Sequence, residues 1–370
     1  GSFNCIASTT VLRAHQNTIT SGTRRNNRST APRAAEKIIS TTMERGAFTE
    51  KTAGQVRYLY KANHPYKSSD ANALQNLTLW IPSASPVGSA ASTPTDYLPP
   101  RPGPWVIYIH GGAWRDPLVD AATFEPTVQH LIAHHAPTFA HLGGIASLNY
   151  TLSPHPKHPT HPSSPDDPSR NAAHPDHIRD VLTGLAFLQR SFGFGANYVL
   201  AGHSCGATLA FQVAMDHARY IGAEAAAALA VEKPRAVLGL DGLYDMPGII
   251  KDPGPKHEAL KGVYDSFTRG AFGDDEATWH AISPVSVENW KAEWKEGERA
   301  VLTQSKEDSL VPYEQTTKMK AMLTLSRGLG LRLREMECGG DHNELWQKGD
   351  RLAEIVADVV QDILSPAQHL

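Results

Sequence analysis

Residues 197–206 read NYVLAGHSCG, an apolar run that ends in the pattern Gly-x-Ser-x-Gly at Gly202–Gly206. The run predicts a buried strand, and the apolar spacing over Cys205–Tyr220 predicts a helix. Such a pattern between a strand and a helix is typical of a sharp turn that exposes its serine. The helix N-terminus then directs free N–H groups at negative charge that develops beside the serine. Ser204 is therefore a candidate nucleophile.

The rest of the chain alternates between strand and helix patterns. Helices are predicted over His177–Arg190 and Asn343–Ile363. Further strands are predicted over Gln75–Pro82, Trp105–His110, Gly144–Leu152, Arg235–Leu240, Ala300–Gln304 and Leu331–Met336. Strands separated by helices indicate an α/β class, a mostly parallel sheet with helices on both faces. With the serine turn, this predicts an α/β-hydrolase fold. We expect a single domain over residues 43–370, with proline-rich insertions near 83–104 and 153–175.

A serine nucleophile needs a base, and the base needs an acid that orients it. In the α/β-hydrolase fold the acid and the base follow the serine in that order. Asp308 follows the strand predicted at Ala300–Gln304, and His342 follows the strand predicted at Leu331–Met336. Both loops lie at the carboxyl ends of strands, where sites of parallel sheets occur. We predict Asp308 as the acid, with Glu307 as its rival, and His342 as the base.

The loop after the strand Trp105–His110 reads His110-Gly111-Gly112-Ala113-Trp114. The backbone N–H groups of Gly111, Gly112 or Ala113, together with that of Cys205, are candidates for an oxyanion hole. We interpret His110 as a packing and hydrogen-bonding residue. Asp341, next to the predicted base, is expected to cap the following helix.

Composition excludes several classes of protein. The net charge is −3, from 35 Lys+Arg and 38 Asp+Glu, which does not favour nucleic-acid binding. No apolar run approaches the length of a membrane helix, and three scattered cysteines suit neither a disulfide framework nor a zinc site. These features favour a soluble cytoplasmic protein.

Two segments need separate interpretation. Residues 3–42 are rich in Ser, Thr, Asn and Arg, which suits a disordered leader, upstream sequence ahead of Met43, or a mitochondrial transit peptide. Residues 153–177 interleave five histidines with seven prolines. Because proline prevents a regular backbone that would make the histidines converge, we expect an extended surface loop, such as a lid, and no metal site.

The motif His110–Trp114, the motif Gly202–Gly206, Asp308 and His342 together resemble the fungal kynurenine formamidases, a family of α/β-hydrolases. The resemblance begins near residue 54 and covers most of the remaining chain. Its most specific element is the H-G-G-x-W signature at His110–Trp114, because related esterases more often carry H-G-G-G there. The resemblance places the family's nucleophile at Ser204, its acid at Asp308 and its base at His342.

The resemblance implies hydrolysis of N-formyl-L-kynurenine to L-kynurenine and formate in tryptophan catabolism, without a metal or organic cofactor. It leaves open whether the chain forms a homodimer. A formyl group needs a small acyl pocket beside a wider aromatic one, and the candidates for the aromatic wall are Trp114, Tyr150, Tyr244 and Trp346. One alternative is a carboxylesterase or lactonase acting on another small molecule. A second is a ligand-binding protein on a hydrolase scaffold that has lost catalysis.

Overall fold

The computed structural model describes residues 43–44, 47–83, 98, 101–325 and 330–365. The predicted leader at residues 1–42 and most of the predicted insertion near 83–104 lie outside the described residues. The predicted insertion near 153–175 is described throughout.

Nine strands form one sheet in the described part of the chain, in the order β1-β2-β3-β5-β4-β6-β7-β8-β9. They are β1 (Thr49–Ala53), β2 (Val56–Pro65), β3 (Asn76–Pro82), β4 (Trp105–Ile109), β5 (Gly144–Leu148), β6 (Tyr198–His203), β7 (Ala236–Leu240), β8 (Arg299–Thr303) and β9 (Arg332–Glu335). The first three pair antiparallel and β3 joins β5 antiparallel, whereas β5, β4 and β6 to β9 are parallel. The mostly parallel sheet predicted from the sequence is therefore confirmed.

Helices occupy most of the connections between the parallel strands. They are α1 (Glu125–His134), α2 (Ala136–Ala140), α3 (Asp176–Phe192), α4 (Cys205–Ala214), α5 (Ala218–Ile221), α6 (Ala223–Leu229), α7 (Met246–Lys251), α8 (Lys261–Phe272), α9 (Glu276–Ile282), α10 (Trp290–Glu293), α11 (Glu314–Leu325), α12 (Glu344–Lys348) and α13 (Asp350–Leu364). The single helix predicted over Cys205–Tyr220 is two helices, α4 and α5. The helix predicted over Asn343–Ile363 is also divided, because Gly349 between α12 and α13 has left-handed backbone.

The core lies in two layers, one on each face of the sheet. Side chains alternate along a strand, so Ile107 and Ile109 of β4 belong to one layer, and Val106 and Tyr108 to the other. The first layer contains apolar residues of α3 and α4, and the second contains those of α1 and α13. All five residues of β4 are buried, as expected of a central parallel strand. The buried sheet thus supports the loops at its carboxyl edge.

Two parts of the architecture do not appear among the sequence predictions. The antiparallel strands β1 and β2 extend the sheet, and they are only partly buried. The helices α7 to α10 lie between β7 and β8, and Tyr264 and Phe267 of α8 belong to the core. The connection between β7 and β8 is therefore a long helical insertion that was not among the sequence predictions.

Candidate active site

Ser204 lies at the turn between β6 and α4, where its backbone takes φ 56° and ψ −122°. A positive φ is costly for a residue with a side chain, so such strain persists only where the surroundings impose it. Here the Ser204 N–H donates to the Leu240 carbonyl at 2.8 Å, and its carbonyl accepts the N–H groups of Ala207 and Leu243. These contacts join the turn to β7 and α4. These hydrogen bonds therefore hold the backbone of Ser204 in its strained conformation.

The two glycines of the Gly-x-Ser-x-Gly pattern allow this turn because they pack backbone against backbone. A Cβ on Gly202 would lie 2.0 Å from the Gly206 carbonyl oxygen, and a Cβ on Gly206 would lie 2.2 Å from that of Ile109. Neither approach leaves room for a methyl group. The sequence pattern is thus explained by close packing between β6, α4 and β4.

Gly206→Ala is accordingly expected to lower the free energy of unfolding by about 3 kcal/mol, because the backbone must move to accept the methyl group. Gly262→Ala is a matched control, since a Cβ there meets nothing within 4 Å and Gly262 lies inside α8. The control is expected to be neutral or slightly stabilising. Urea unfolding of both variants checks the difference, and equal stabilities would contradict the packing argument.

His342 and Asp308 form a buried pair, with His342 Nδ1 2.8 Å from Asp308 Oδ2. The other oxygen, Asp308 Oδ1, accepts the backbone N–H groups of Leu310 and Val311, each at 2.8 Å. Burial tends to raise the pKa of Asp308, but the His342 contact and these N–H groups outweigh it and lower the pKa. Asp308 is therefore an ionised acceptor for a proton on Nδ1 of His342.

Glu307, the rival acid, lies elsewhere in the same loop. Its side chain is exposed, and its Oε2 accepts the N–H of Gly340 at 3.1 Å. The structure thus pairs His342 with Asp308 and leaves Glu307 in a supporting contact between the two loops.

Asp341 does not cap the following helix, so that prediction is wrong. The residue before α12 is Asn343, which makes no capping hydrogen bond, and Asp341 Oδ1 instead accepts the N–H groups of Ser309 and His342. Hydrogen bonds from Ser309 and His342 lower the pKa of Asp341 to about 2. The carboxylate therefore ties the loop of Asp308 to the loop of His342.

Three further groups hold the two loops in place. Lys256 Nζ and His257 Nε2 contact the Asp308 carbonyl at 2.7 and 3.1 Å. His203 Nε2 lies 2.9 Å from the carbonyl of His342. Burial lowers the pKa of His203 to about 3, so this ring is neutral and donates its Nε2 proton to that carbonyl. Residues far apart in sequence thus fix the backbone of both Asp308 and His342.

The loop after β4 has left-handed backbone at three successive residues, with φ 91° at Gly112, 49° at Ala113 and 59° at Trp114. The Trp114 N–H donates to Cys205 Sγ at 3.3 Å. Burial raises the pKa of Cys205 to about 11, so its sulfur is a neutral thiol that receives this N–H. The side chain of Cys205, which the sequence prediction neglected in favour of its backbone, therefore helps to shape the loop.

Gly111 is less exposed to the site than its two successors. Its carbonyl receives the Tyr150 hydroxyl at 3.2 Å, and it does not line the cavity that Gly112 and Ala113 line. A Cβ on Gly111 would lie 3.0 Å from the Cβ of Ser204, so glycine permits the loop to approach the serine. Within this loop, Gly112 and Ala113 are therefore better candidates than Gly111 for oxyanion donors.

A cavity of about 240 Å³ opens beside Ser204 and His342. This volume lies just below the roughly 300 Å³ lower end of drug-sized pockets and suits a small molecule. Its other lining residues are Gly112, Ala113, Arg115, Asp116, Val119, His155, Leu243, Leu260, Val263, Tyr264, Phe267, Leu310, Val311 and Asn343. The walls are mostly apolar, as in other small-molecule sites.

The four aromatic residues predicted to wall this cavity do not line it. The side chain of Trp114 is fully buried in the core and packs against Phe272. Tyr150 and Tyr244 are also fully buried, and the Tyr150 ring stacks on His110. Trp346 is half-buried and reaches the cavity only through Asn343, whose Oδ1 accepts its indole N–H at 3.1 Å. The prediction is corrected: none of the four side chains lines the cavity, and three of them lie in the core.

His110 occupies the packing position expected of it. Its Nδ1 lies 2.9 Å from the Gly111 carbonyl, and burial lowers its pKa to about 4. The ring is therefore neutral and buttresses the loop together with Tyr150.

Asp241 is a second buried carboxyl group near the Asp308–His342 pair, and sequence reasoning missed it. Its Oδ1 accepts the N–H of Ser305 at 3.0 Å, and its Oδ2 lies 3.8 Å from His203 Nε2. Burial, together with the charge of Asp308, raises its pKa to about 7 despite the opposing effect of His342. Asp241 directly follows β7, and this position could have indicated it, because functional sites of parallel sheets lie at the carboxyl ends of the strands.

Asp241→Asn is expected to stabilise the protein increasingly as the pH rises. An unfolded Asp ionises near pH 4, so between about pH 4 and 7 the folded state binds the extra proton. The free energy of unfolding of the wild type therefore falls across this interval, and the variant lacks that loss. Urea unfolding at pH 5 and pH 8 should show the variant gaining a few kcal/mol on the wild type. A gap independent of pH would mean that Asp241 is ionised in the folded state.

Two absences concern only the described residues. No group of three His, Cys, Asp or Glu side chains there is arranged to hold a metal ion, including the histidines of the 153–177 segment. No helix there is long and apolar enough to cross a membrane.

Comparison with known proteins agrees with this geometry. A family model described as alpha/beta hydrolase matches residues 106–357. The kynurenine formamidase-like hydrolase fscH of Fusarium equiseti is 35% identical over 79% of this chain and 91% of the relative. The chain is an α/β hydrolase of the kynurenine formamidase family. The kynurenine formamidase avaC of Aspergillus versicolor is another relative of this α/β hydrolase, 33% identical over 66% of this chain and 84% of the relative.

Solved structures agree at the level of the fold. Esterase B of Lactobacillus rhamnosis covers 86% of this α/β hydrolase with 90% of its own chain, at 16% identity and a TM-score of 0.55. At that identity the likeness concerns the fold alone. The fold and family predicted from the motifs are both confirmed.

Proposed function

We propose that this α/β hydrolase cleaves N-formyl-L-kynurenine to L-kynurenine and formate, with Ser204, Asp308 and His342 as its catalytic triad. The observation that carries the proposal is the 2.8 Å contact between His342 Nδ1 and Asp308 Oδ2 beside the cavity that exposes Ser204. The substrate follows from the relatives, because avaC is named a kynurenine formamidase and fscH a kynurenine formamidase-like hydrolase.

The first half-reaction forms a formyl-enzyme. Because Asp308 accepts the Nδ1 proton of His342, the lone pair of Nε2 is free to take the proton of Ser204 Oγ. Oγ attacks the formyl carbon, which becomes tetrahedral, and the oxygen of the formyl group becomes an oxyanion. The N–H groups of Gly112, Ala113 and Cys205 stabilise that charge, and losing one such donor typically costs about 3 kcal/mol of barrier.

The first half-reaction ends when the carbon–nitrogen bond breaks. His342 gives its proton to the departing aryl amine, L-kynurenine leaves, and the formyl group stays on Ser204 Oγ as an ester. The second half-reaction releases formate. Water then loses a proton to His342 and attacks the formyl carbon of the ester on Ser204. Collapse of this second intermediate returns the proton to Ser204 Oγ and yields formate. No step needs a metal or an organic cofactor.

The esterase alternative has less support. The esterases among the solved structures are 16% identical or less, which carries no information on substrate. The curated relatives above 30% identity carry formamidase names. The alternative of a protein that has lost catalysis is disfavoured because the acid, the base and the strained serine turn are all present.

The test is the release of kynurenine from N-formyl-L-kynurenine, compared with the hydrolysis of p-nitrophenyl acetate by the same preparation. The proposal expects a higher kcat/KM on the formamide. Brisk hydrolysis of the ester with negligible release of kynurenine would transfer the function to the esterase alternative. Failure to hydrolyse either compound would support a non-catalytic role.

A further inference from the structure

One side of the cavity is polar although most of its wall is apolar. Leu260, Val263 and Phe267 are among the apolar lining residues, and Arg115, Asp116 and His155 are among the polar ones. The Arg115 guanidinium lies over the Phe267 ring, 5.9 Å from its centroid. In apolar sites a few polar groups fix the orientation of the ligand. The proposed triad and oxyanion hole use none of these three side chains.

Arg115 directly follows the loop His110–Trp114, and most of its guanidinium N–H groups have no partner among the described residues. Its half-buried guanidinium donates through Nη1 to Ser266 Oγ at 3.0 Å, the one hydrogen bond that the described residues give it. Within the described ranges no carboxylate lies close enough to form an ion pair with it. A guanidinium presents its N–H groups as a planar fork, which matches a carboxylate. Arg115 is therefore equipped to receive an anionic group from a ligand.

Asp116 uses one carboxylate oxygen, Oδ1, in contacts within the protein, and its other oxygen remains for a ligand. Its Oδ1 accepts the N–H of Leu118 at 2.9 Å and lies 3.4 Å from Nε2 of His158. Because His158 Nδ1 accepts the N–H groups of Thr160 and His161, its proton must be on Nε2 and points to Asp116. Among the described residues Asp116 Oδ2 has no hydrogen-bond partner. The carboxylate is thus oriented with one oxygen left for a cation.

His155 brings the proline- and histidine-rich segment to the cavity. His155 lines the cavity, and its backbone N–H donates to Ser163 Oγ at 2.7 Å. The buried Nδ1 of its ring has no hydrogen-bond partner among the described residues. Burial, followed by the charge of Arg115, lowers the pKa of His155, so the ring is neutral beside the guanidinium. The segment therefore supplies one wall residue, His155, and one orienting residue, His158.

We propose that Arg115, Asp116 and His155 form a subsite for the head group of an α-amino acid. The α-carboxylate of the ligand binds the guanidinium fork of Arg115, and the α-ammonium group of the ligand binds Asp116 Oδ2. His155 donates or accepts a hydrogen bond with the same head group. The aryl ring lies on Leu260, Val263 and Phe267, with the formamide at Ser204. The inference rests on the proposed function and adds to it the side chains that bind the amino-acid part of the substrate.

The experiment compares two formamides that share the reacting group. One is N-formyl-L-kynurenine, and the other is 2-formamidoacetophenone, which keeps the ring and ketone but lacks the amino acid. The wild type is expected to prefer the first. Arg115→Gln and Asp116→Asn are each expected to lower that preference in kcat/KM by about 10- to 100-fold, mainly through KM, because binding is lost equally in ground and transition states.

A control and a second variant keep the result interpretable. Arg179→Gln removes an exposed arginine of α3, which pairs with Asp176 outside the cavity, and should leave both rates unchanged. Arg115→Lys keeps the charge without the fork and should give a smaller loss of preference than Arg115→Gln. Equal losses on both formamides would mean that Arg115 only supports the oxyanion loop, and this would overturn the proposal. A wild type without preference would overturn it as well.

Failure of the proposed function is distinguishable from failure of the subsite. If neither formamide is hydrolysed, calorimetry with the Ser204→Ala protein measures the binding of L-kynurenine and of 2-aminoacetophenone. The subsite predicts tighter binding of the amino acid and loss of that difference when Arg115→Gln is added. Equal affinity for both compounds would reject the subsite whatever the reaction.

Discussion

Ser204→Ala is expected to lower kcat on N-formyl-L-kynurenine by a factor of about 10⁵ to 10⁶, with little change in KM. The residual rate reflects the oxyanion hole and binding alone, as in other serine hydrolases that lose the nucleophile. The side chain is small, and the backbone contacts of Ser204 with Leu240, Ala207 and Leu243 do not involve Oγ. The fold should therefore be retained.

Ser365→Ala is the matched control, because that serine is exposed at the end of α13. Its rate and melting temperature should equal those of the wild type. A fluorophosphonate probe should add its mass to the peptide containing Ser204 and to no peptide of the Ser204→Ala protein. Retention of more than a hundredth of the rate, or labelling elsewhere, would show that another residue is the nucleophile. Cys205 is a poor substitute, because burial keeps its thiol neutral.

The sequence was most informative about the central sheet. Strands such as β4 and β6 are buried on both faces, so each is a short continuous apolar run that ends at glycine or the serine turn. β1 and β2 are only partly buried and include charged residues such as Glu50, Arg57 and Lys61, so they lack that signal. The order of the strands depends on contacts distant in sequence, which no local pattern encodes.

That Asp308 and His342 meet could be predicted because the fold brings the carboxyl ends of parallel strands to one edge. The cavity wall could not be predicted in the same way. Tyr150 follows a strand at that edge, yet its side chain turns inward to the His110 and Gly111 carbonyls. Arg115 and Asp116 are adjacent to the H-G-G-x-W motif, but sequence does not tell which side chains face the cavity. Side-chain direction comes from packing between elements, as where Arg115 lies against Ser266 and Phe267 of α8.

Asp308→Asn is expected to lower kcat by about 10⁴ without unfolding the protein. An asparagine oxygen at the Oδ1 position still accepts the N–H groups of Leu310 and Val311. Its amide nitrogen then faces His342 Nδ1 and donates to it, so the ring proton moves to Nε2. In that tautomer His342 cannot accept the proton of Ser204, and the loss matches that known for such a change in a serine triad.

The comparison with Glu307→Gln decides between the two acidic residues of this loop. Glu307 contacts Gly340 from an exposed position, so its amide variant should keep kcat within about tenfold of the wild type. Raising the pH should not rescue Asp308→Asn, because the defect lies in the tautomer and not in the ionisation of the ring. Steady-state kinetics of both variants from pH 6 to 9 make the measurement. A larger loss in Glu307→Gln than in Asp308→Asn would assign the acid to Glu307, and the 2.8 Å pair of Asp308 and His342 would then be structural.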